Sequence, residues 1–118
     1  MRLGVTFKAF DVVVVPFPFT DRDATKRRPA LVISNALFNQ QHDHLILAMI
    51  TASTDNAWSS DVSLKHWQEI GLKVACHARL KLFTLDQNLV LKTVGQLTSH
   101  DVKSVQVVLA KYVDTNKY

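Results

Sequence analysis

Three runs of mostly branched apolar residues stand out in the first half of the chain: Val12-Val13-Val14-Val15, Ala30-Leu31-Val32-Ile33 and Leu45-Ile46-Leu47-Ala48-Met49-Ile50. Short continuous apolar runs bounded by turn formers predict strands buried on both faces, here over Asp11–Phe17, 27–34 and 45–51. Pro16 and Pro18 end the first strand, because proline cannot donate to a central ladder. Pro29 suits the opening residues of the second and holds Arg28 extended. Between them, 20–26 is a polar loop too long for a tight hairpin. Residues 35–44 form a polar connection with Leu37 and Phe38 as apolar plugs.

The second half is punctuated differently. Asp61-Val62-Ser63-Leu64 alternates and predicts a short half-buried strand, and 65–70 predicts one helical turn stopped by Gly71. Ala78-Arg79-Leu80-Lys81-Leu82 also alternates, which directs Leu80 and Leu82 to the core and Arg79 and Lys81 to the opposite face. Asp86-Gln87-Asn88 reads as a turn before a last strand, 89–94, closed by Gly95. Then Thr98-Ser99-His100-Asp101 offers a cap, and Val102, Val105, Leu109 and Val113 follow at helical spacing. Five or six strands and one C-terminal amphipathic helix predict a mainly β fold, a small and strongly curved barrel whose mouth the helix covers.

Composition narrows the class. The 118 residues, 47% hydrophobic and 20% charged, suit one soluble domain over 1–118. No apolar run approaches the roughly 18 residues of a membrane span, and no secretory signal is visible at the N-terminus. A single cysteine, Cys76, points to a reducing cytoplasm. The net charge of +4 and pI near 9.4 favour a polyanion or an acidic protein as partner. Lys26, Arg27 and Arg28 cluster near Arg22, and Arg79 and Lys81 form a second basic group. A merely solvated basic surface is the plainer alternative.

Arg28 and Thr51 stand at strand edges, where a guanidinium and a hydroxyl are mounted rigidly enough to grip a phosphate. The plainer reading of Arg28 is an ion pair with Asp21 or Asp23. His42 and His44 form a rival site: on a strand they would share a face and serve as acid and base or as zinc ligands. No third ligand has convincing spacing, and the Cys76-His77 dipeptide is a weak signal. Trp58 and Trp67 read as core or dimer anchors.

The stretches Asp11-Val12-Val13-Val14-Val15-Pro16-Phe17-Pro18-Phe19-Thr20, Lys26-Arg27-Arg28-Pro29-Ala30-Leu31-Val32-Ile33-Ser34 and Met49-Ile50-Thr51 together resemble the MazF/PemK toxins of bacterial toxin–antitoxin pairs. Gly71-Leu72, Lys81-Leu82-Phe83-Thr84-Leu85 and Val94-Gly95-Gln96-Leu97 follow the same pattern in order. The chain departs from it at Phe10, where the family commonly has Gly, and at Cys76-His77, where it often has Pro-Ser. The resemblance implies an SH3-like β-barrel with a C-terminal α-helix and short helical insertions. It further implies a cytoplasmic homodimer that cleaves single-stranded RNA without metal or other cofactor, restrained by a cognate antitoxin.

On the same resemblance, Arg28 and Thr51 are the catalytic pair. Lys26, Arg27, Arg79 and Lys81 are candidates to line the RNA path, Phe17 or Phe19 to stack a base, and Ser53 and Thr54 to reach sugar or phosphate. RNA carries its own nucleophile, so attack of the 2′-hydroxyl on phosphorus expels the 5′-oxygen and leaves a 2′,3′-cyclic phosphate. A basic groove also invites an acidic, partly disordered antitoxin peptide. Two other functions fit the same barrel: a CcdB-like protein that binds gyrase, and a nucleic-acid-binding barrel that does not cut.

Overall fold

Alternate residues of the central strands go to opposite sides of one antiparallel sheet, and both sides are apolar. The computed structural model describes residues 6–17, 26–53 and 56–115. Along the chain run β1 (Asp11–Phe17), β2 (Lys26–Val32), α1 (Ala36–His42), β3 (His44–Ala52), β4 (Val62–Ser63), α2 (Trp67–Ile70), β5 (Cys76–Asp86), a 3-10 turn at Gln87–Leu89, β6 (Lys92–Gln96) and α3 (Ser99–Tyr112). The six strands form one curled sheet in the order β4-β5-β3-β2-β1-β6. The mainly β architecture and the terminal helix are those the pattern predicts, the short helical insertions are those the resemblance implies, and the sheet curls into a half-barrel.

Val12, Leu31, Ala48, Ile50, Val62 and Ala78 face one side, where they pack with Ile70 of α2 and Val105 of α3. Val13, Val15, Ala30, Val32, Leu45, Leu47 and Leu85 fill the other side with Phe7. Two-sided burial is why the first three strands read as unbroken apolar runs. Asp101, with none of its surface exposed, ties α3 to this frame. Its two carboxylate oxygens accept the backbone N–H groups of Lys65 and His66 at 3.1 Å each.

Several sequence expectations change. The connection 35–44 contains a helix: the Asn35 side chain accepts the Phe38 N–H, and Asp43 ends the turn in the left-handed region at φ 51°. His42 therefore closes a helix while His44 opens β3, so the two do not alternate along one strand. Their only link described is His44 Nδ1 to the His42 carbonyl, 2.8 Å. In β5 the register jumps: Ala48 pairs with Leu82 but Met49 with Arg79, so Leu80 and Lys81 bulge out of the ladder. Alternation breaks there, and Leu82 is 43% exposed instead of buried.

The last strand begins later than predicted, because Leu89 belongs to the 3-10 turn. Gly95 lies within the strand and does not close it. A Cβ there would stand 2.3 Å from the Ile70 carbonyl oxygen, so glycine is what lets α2 approach β6. Gly71 ends α2 at φ 107°, as the sequence predicts. Val113 is the C-cap of α3 and is exposed, so the apolar stripe ends at Leu109.

Phe10 adopts φ 72°, a left-handed conformation that favours glycine. Its N–H donates to the Val32 carbonyl at 2.6 Å and its carbonyl accepts the Leu97 N–H at 3.0 Å. The turn thus joins β2 to the chain after β6, and the ring packs against the first core.

Candidate functional site

Register decides which side chains meet at one end of the sheet. Residues paired across an antiparallel ladder share a face. β2 pairs with β3 through Ala30↔Met49, Leu31↔Ala48 and Val32↔Leu47. Continuing that register past the last pair sets Arg28 opposite Thr51. On its other flank Arg28 pairs with Val15, and Thr51 pairs with His77, which in turn pairs with Ser63. A row of Arg28, Thr51, His77 and Ser63 therefore crosses four strands on one face, where the second apolar core gives out.

Arg28 is exposed and half-buried Phe17 lies beneath it, with the guanidinium carbon 5.5 Å from the ring centroid. Lys26, which pairs with Phe17, projects to the same face as Arg28. Asp21, Asp23, Phe19 and Thr54 lie outside the described residues. Arg27 goes to the opposite side of β2. There, with Pro29, Lys73, Cys76 and Lys92, it lines a groove of about 420 Å³. The three consecutive cations are thus split between two faces. Ser53, exposed beyond the end of β3, is held by its own N–H to the Ala75 carbonyl at 3.0 Å. Lys81 is exposed in the β5 bulge, away from Thr51.

Arg79 is the least free of the predicted cations. Its Nε and Nη2 donate to the two oxygens of Asp61 at 3.1 and 3.0 Å, and Nη2 also donates to the Asn56 carbonyl at 2.8 Å. The guanidinium lies over Trp58, 4.7 Å from the ring centroid. Asp61 Oδ2 further accepts the Trp58 backbone N–H at 2.7 Å. His77, a buried residue, places Nε2 3.0 Å from the same oxygen. That nitrogen is also 3.3 Å from Arg79 Nη2. It cannot donate to one and accept from the other, so the shorter carboxylate contact assigns the proton to Nε2.

Burial alone would push the Asp61 carboxyl up. The hydrogen bonds from Arg79 and the Trp58 backbone amide, with the electrostatic pull of His77 and Arg79, outweigh it and hold the group below its ordinary value. Asp61 in turn raises the Arg79 guanidinium pKa through their hydrogen bonds. Burial pushes the Cys76 thiol up, which makes it a poor nucleophile.

Sequence reasoning gave Asp61 no role at the site and weighed His77 only as a weak metal ligand and a departure from the family pattern. A His in a Cys-His dipeptide carries no spacing signal, and its place beside Thr51 comes from a strand pairing across 26 residues. Trp58, read as a core or dimer anchor, is 46% exposed at the rim of this cluster. Trp67 does pack against the first core. Among the described residues, no group of three or more His, Cys, Asp or Glu side chains is arranged to hold a metal.

No curated protein matches the chain in sequence. Solved structures match its fold. A mycobacterial endoribonuclease in complex with its cognate antitoxin superposes with a TM-score of 0.74 at 12% identity, over 95% of this chain and 99% of that one. MazF from Deinococcus radiodurans gives 0.68 at 20% identity, over 91% and 96%. The toxin MazF-mt6 of Mycobacterium tuberculosis gives 0.69 at 13% identity, over 91% and 99%. At these identities the likeness establishes the fold. The description "PemK-like, MazF-like toxin of type II toxin-antitoxin system" matches residues 8–113. By that match over nearly its whole length, the chain belongs to the PemK-like, MazF-like family of type II toxin–antitoxin toxins.

Proposed function

We propose that this chain is a metal-independent endoribonuclease that cuts single-stranded RNA, messenger RNA above all, at Arg28 and Thr51, and so inhibits translation and growth. The observation that carries the reading is the register of β2 and β3, which directs an exposed guanidinium and a strand-end hydroxyl to one face. The fold shared with proteins described as endoribonucleases supports it.

The 2′-oxygen attacks the adjacent phosphorus and loses its proton. The bond to the 5′-oxygen breaks, that oxygen gains a proton, and the products carry 2′,3′-cyclic phosphate and 5′-hydroxyl ends. Arg28 donates two parallel hydrogen bonds to the phosphoryl oxygens as their charge grows, and Thr51 adds a third donor. Donors fixed in advance of the reaction are worth roughly 3–4 kcal/mol to the barrier. Arginine stays protonated at neutral pH, so its part is charge stabilisation.

In this reading the protein works in the cytoplasm as a homodimer, and a cognate antitoxin blocks the cationic face. The test is incubation of partner-free protein with long single-stranded RNA in excess chelator. Cleavage to cyclic-phosphate ends is expected from the native chain, with a loss of roughly 100–1,000-fold in Arg28→Ala. Equal cleavage by both proteins would place the chemistry elsewhere. Intact RNA with every sequence tried would end the ribonuclease reading.

A further inference from the structure

We propose that Trp58 is a stacking platform for a nucleobase next to the scissile phosphate, with Arg79 and Asp61 as the residues that set its angle. The inference rests on the ribonuclease reading and adds a base-recognition subsite to it.

Trp58 is exposed and held at the same time: the residue is 46% exposed, yet both its backbone and its ring are held. The backbone N–H of Trp58 donates to Asp61 Oδ2 at 2.7 Å and fixes the chain there, while the Arg79 guanidinium covers the ring at 4.7 Å. Arg79 cannot swing away, because Asp61 takes its Nε and Nη2 and the Asn56 carbonyl takes Nη2 again. Ordering an Arg side chain costs rotamer entropy, and an exposed indole leaves apolar surface in water. A flat aromatic ring backed by a cation and open on the other side suits a nucleobase, because every base presents a π-face.

Location supplies the second argument. Arg79 pairs with Met49, two residues before Thr51 on β3, and His77, two residues before Arg79 on β5, pairs with Thr51. Strand geometry therefore puts the Arg79 backbone roughly 9 Å from that of Thr51. A strand whose phosphate lies against Arg28 and Thr51 would pass Trp58 with an adjoining nucleotide. The cation behind the ring also favours an anionic strand over a neutral ligand.

The experiment uses an RNA bearing a 2′-deoxy nucleotide at the mapped cleavage position, so that binding is read without turnover. In a Trp67→Phe background Trp58 is the sole tryptophan, and RNA is expected to quench its emission. Trp58→Ala is expected to weaken binding roughly 10–100-fold and Trp58→Phe far less, with thermal unfolding of all variants near native. Asp61→Asn is expected to weaken binding by an intermediate factor, because it loosens Arg79 and lets the ring tilt. Equal affinity of Trp58→Ala and the native chain, with RNA cleavage and its dependence on Arg28 intact, would overturn the platform and leave the ribonuclease reading standing. A binding defect of Trp58→Ala that tracks dissociation of a dimer in sedimentation would make the ring a contact between copies, and also overturn it. Failure of the native protein to cleave any RNA would overturn both.

Discussion

Two aspartates do opposite kinds of work in this molecule. Asp101, wholly buried, spends both oxygens on backbone N–H groups of Lys65 and His66 and so fastens α3 to the segment before α2. Asp61 spends its oxygens chiefly on side chains, those of Arg79 and His77, and on one local backbone N–H, that of Trp58. The first anchor lies on the helix-covered side and serves the frame. The second lies at the strand ends and arranges groups that face solvent beside Thr51. A carboxylate that binds backbone across the chain fixes the fold, whereas one that gathers the side chains of an arginine and a histidine fixes a surface.

Cutting each region at its strongest point should separate stability from activity most widely. Arg28→Ala should lower cleavage roughly 100–1,000-fold with an unfolding midpoint close to native, since the side chain is exposed. Asp101→Ala should do the reverse. Leaving two part-buried N–H groups without their acceptors costs about 2–4 kcal/mol, read in urea unfolding, while cleavage per folded molecule stays near native. A large loss of activity in folded Asp101→Ala would show that the two regions are coupled.

Gly95→Ala sharpens the same boundary with a smaller effect. The added methyl meets the Ile70 carbonyl, a backbone atom that cannot turn aside, so α2 and β6 must separate. The expected cost is about 1–3 kcal/mol, again without a defect in the mapped cleavage ends. Unchanged stability would mean that the contact between α2 and β6 yields easily.

Acid should act on the Asp61 region in a predictable direction. The carboxyl is held below its ordinary value of 3.8, so its contribution to stability is complete above that value. It is lost as pH falls through the lower folded value, because the unfolded chain binds the proton first. Thermal unfolding followed downward from neutral pH should therefore show a native-minus-Asp61→Asn difference that is flat above about pH 5 and shrinks below pH 4. A difference that instead grew in acid would contradict the arrangement around Arg79.

What the sequence disclosed follows from how each feature is encoded. The strands of the first half were legible because two-sided burial leaves uninterrupted apolar runs, and Arg28 and Thr51 sit at their ends. β5 was legible only in part, because a bulge breaks alternation at Leu80 and Lys81 with no turn residue to announce it. The cap-like run before α3 looked local, yet Asp101 reaches back 36 residues to Lys65. Asp61, His77 and Arg79 form one cluster through strand pairing and side-chain reach, and neither appears as periodicity. Phe10 lies between these cases: its departure from the family's glycine was visible, but its consequence depends on a backbone angle.

That angle sets up the smallest effect. At φ 72° a non-glycine residue carries roughly 1–2 kcal/mol of strain. Phe10→Gly relieves it, but gives up the ring's packing against the first core and adds about 0.5–1 kcal/mol of unfolded-state freedom. These terms nearly cancel, so the net change should stay within about 1 kcal/mol in urea unfolding. Phe10→Val loses most of the packing and places a β-branched residue where φ is positive, and should be clearly worse. Neither should alter the mapped cleavage ends, because the turn braces Val32 and Leu97 and not the row that contains Thr51. If Phe10→Gly changed where RNA is cut while stability held, the frame would reach into the site through β2, and the division between the two aspartates' regions would have to be redrawn there.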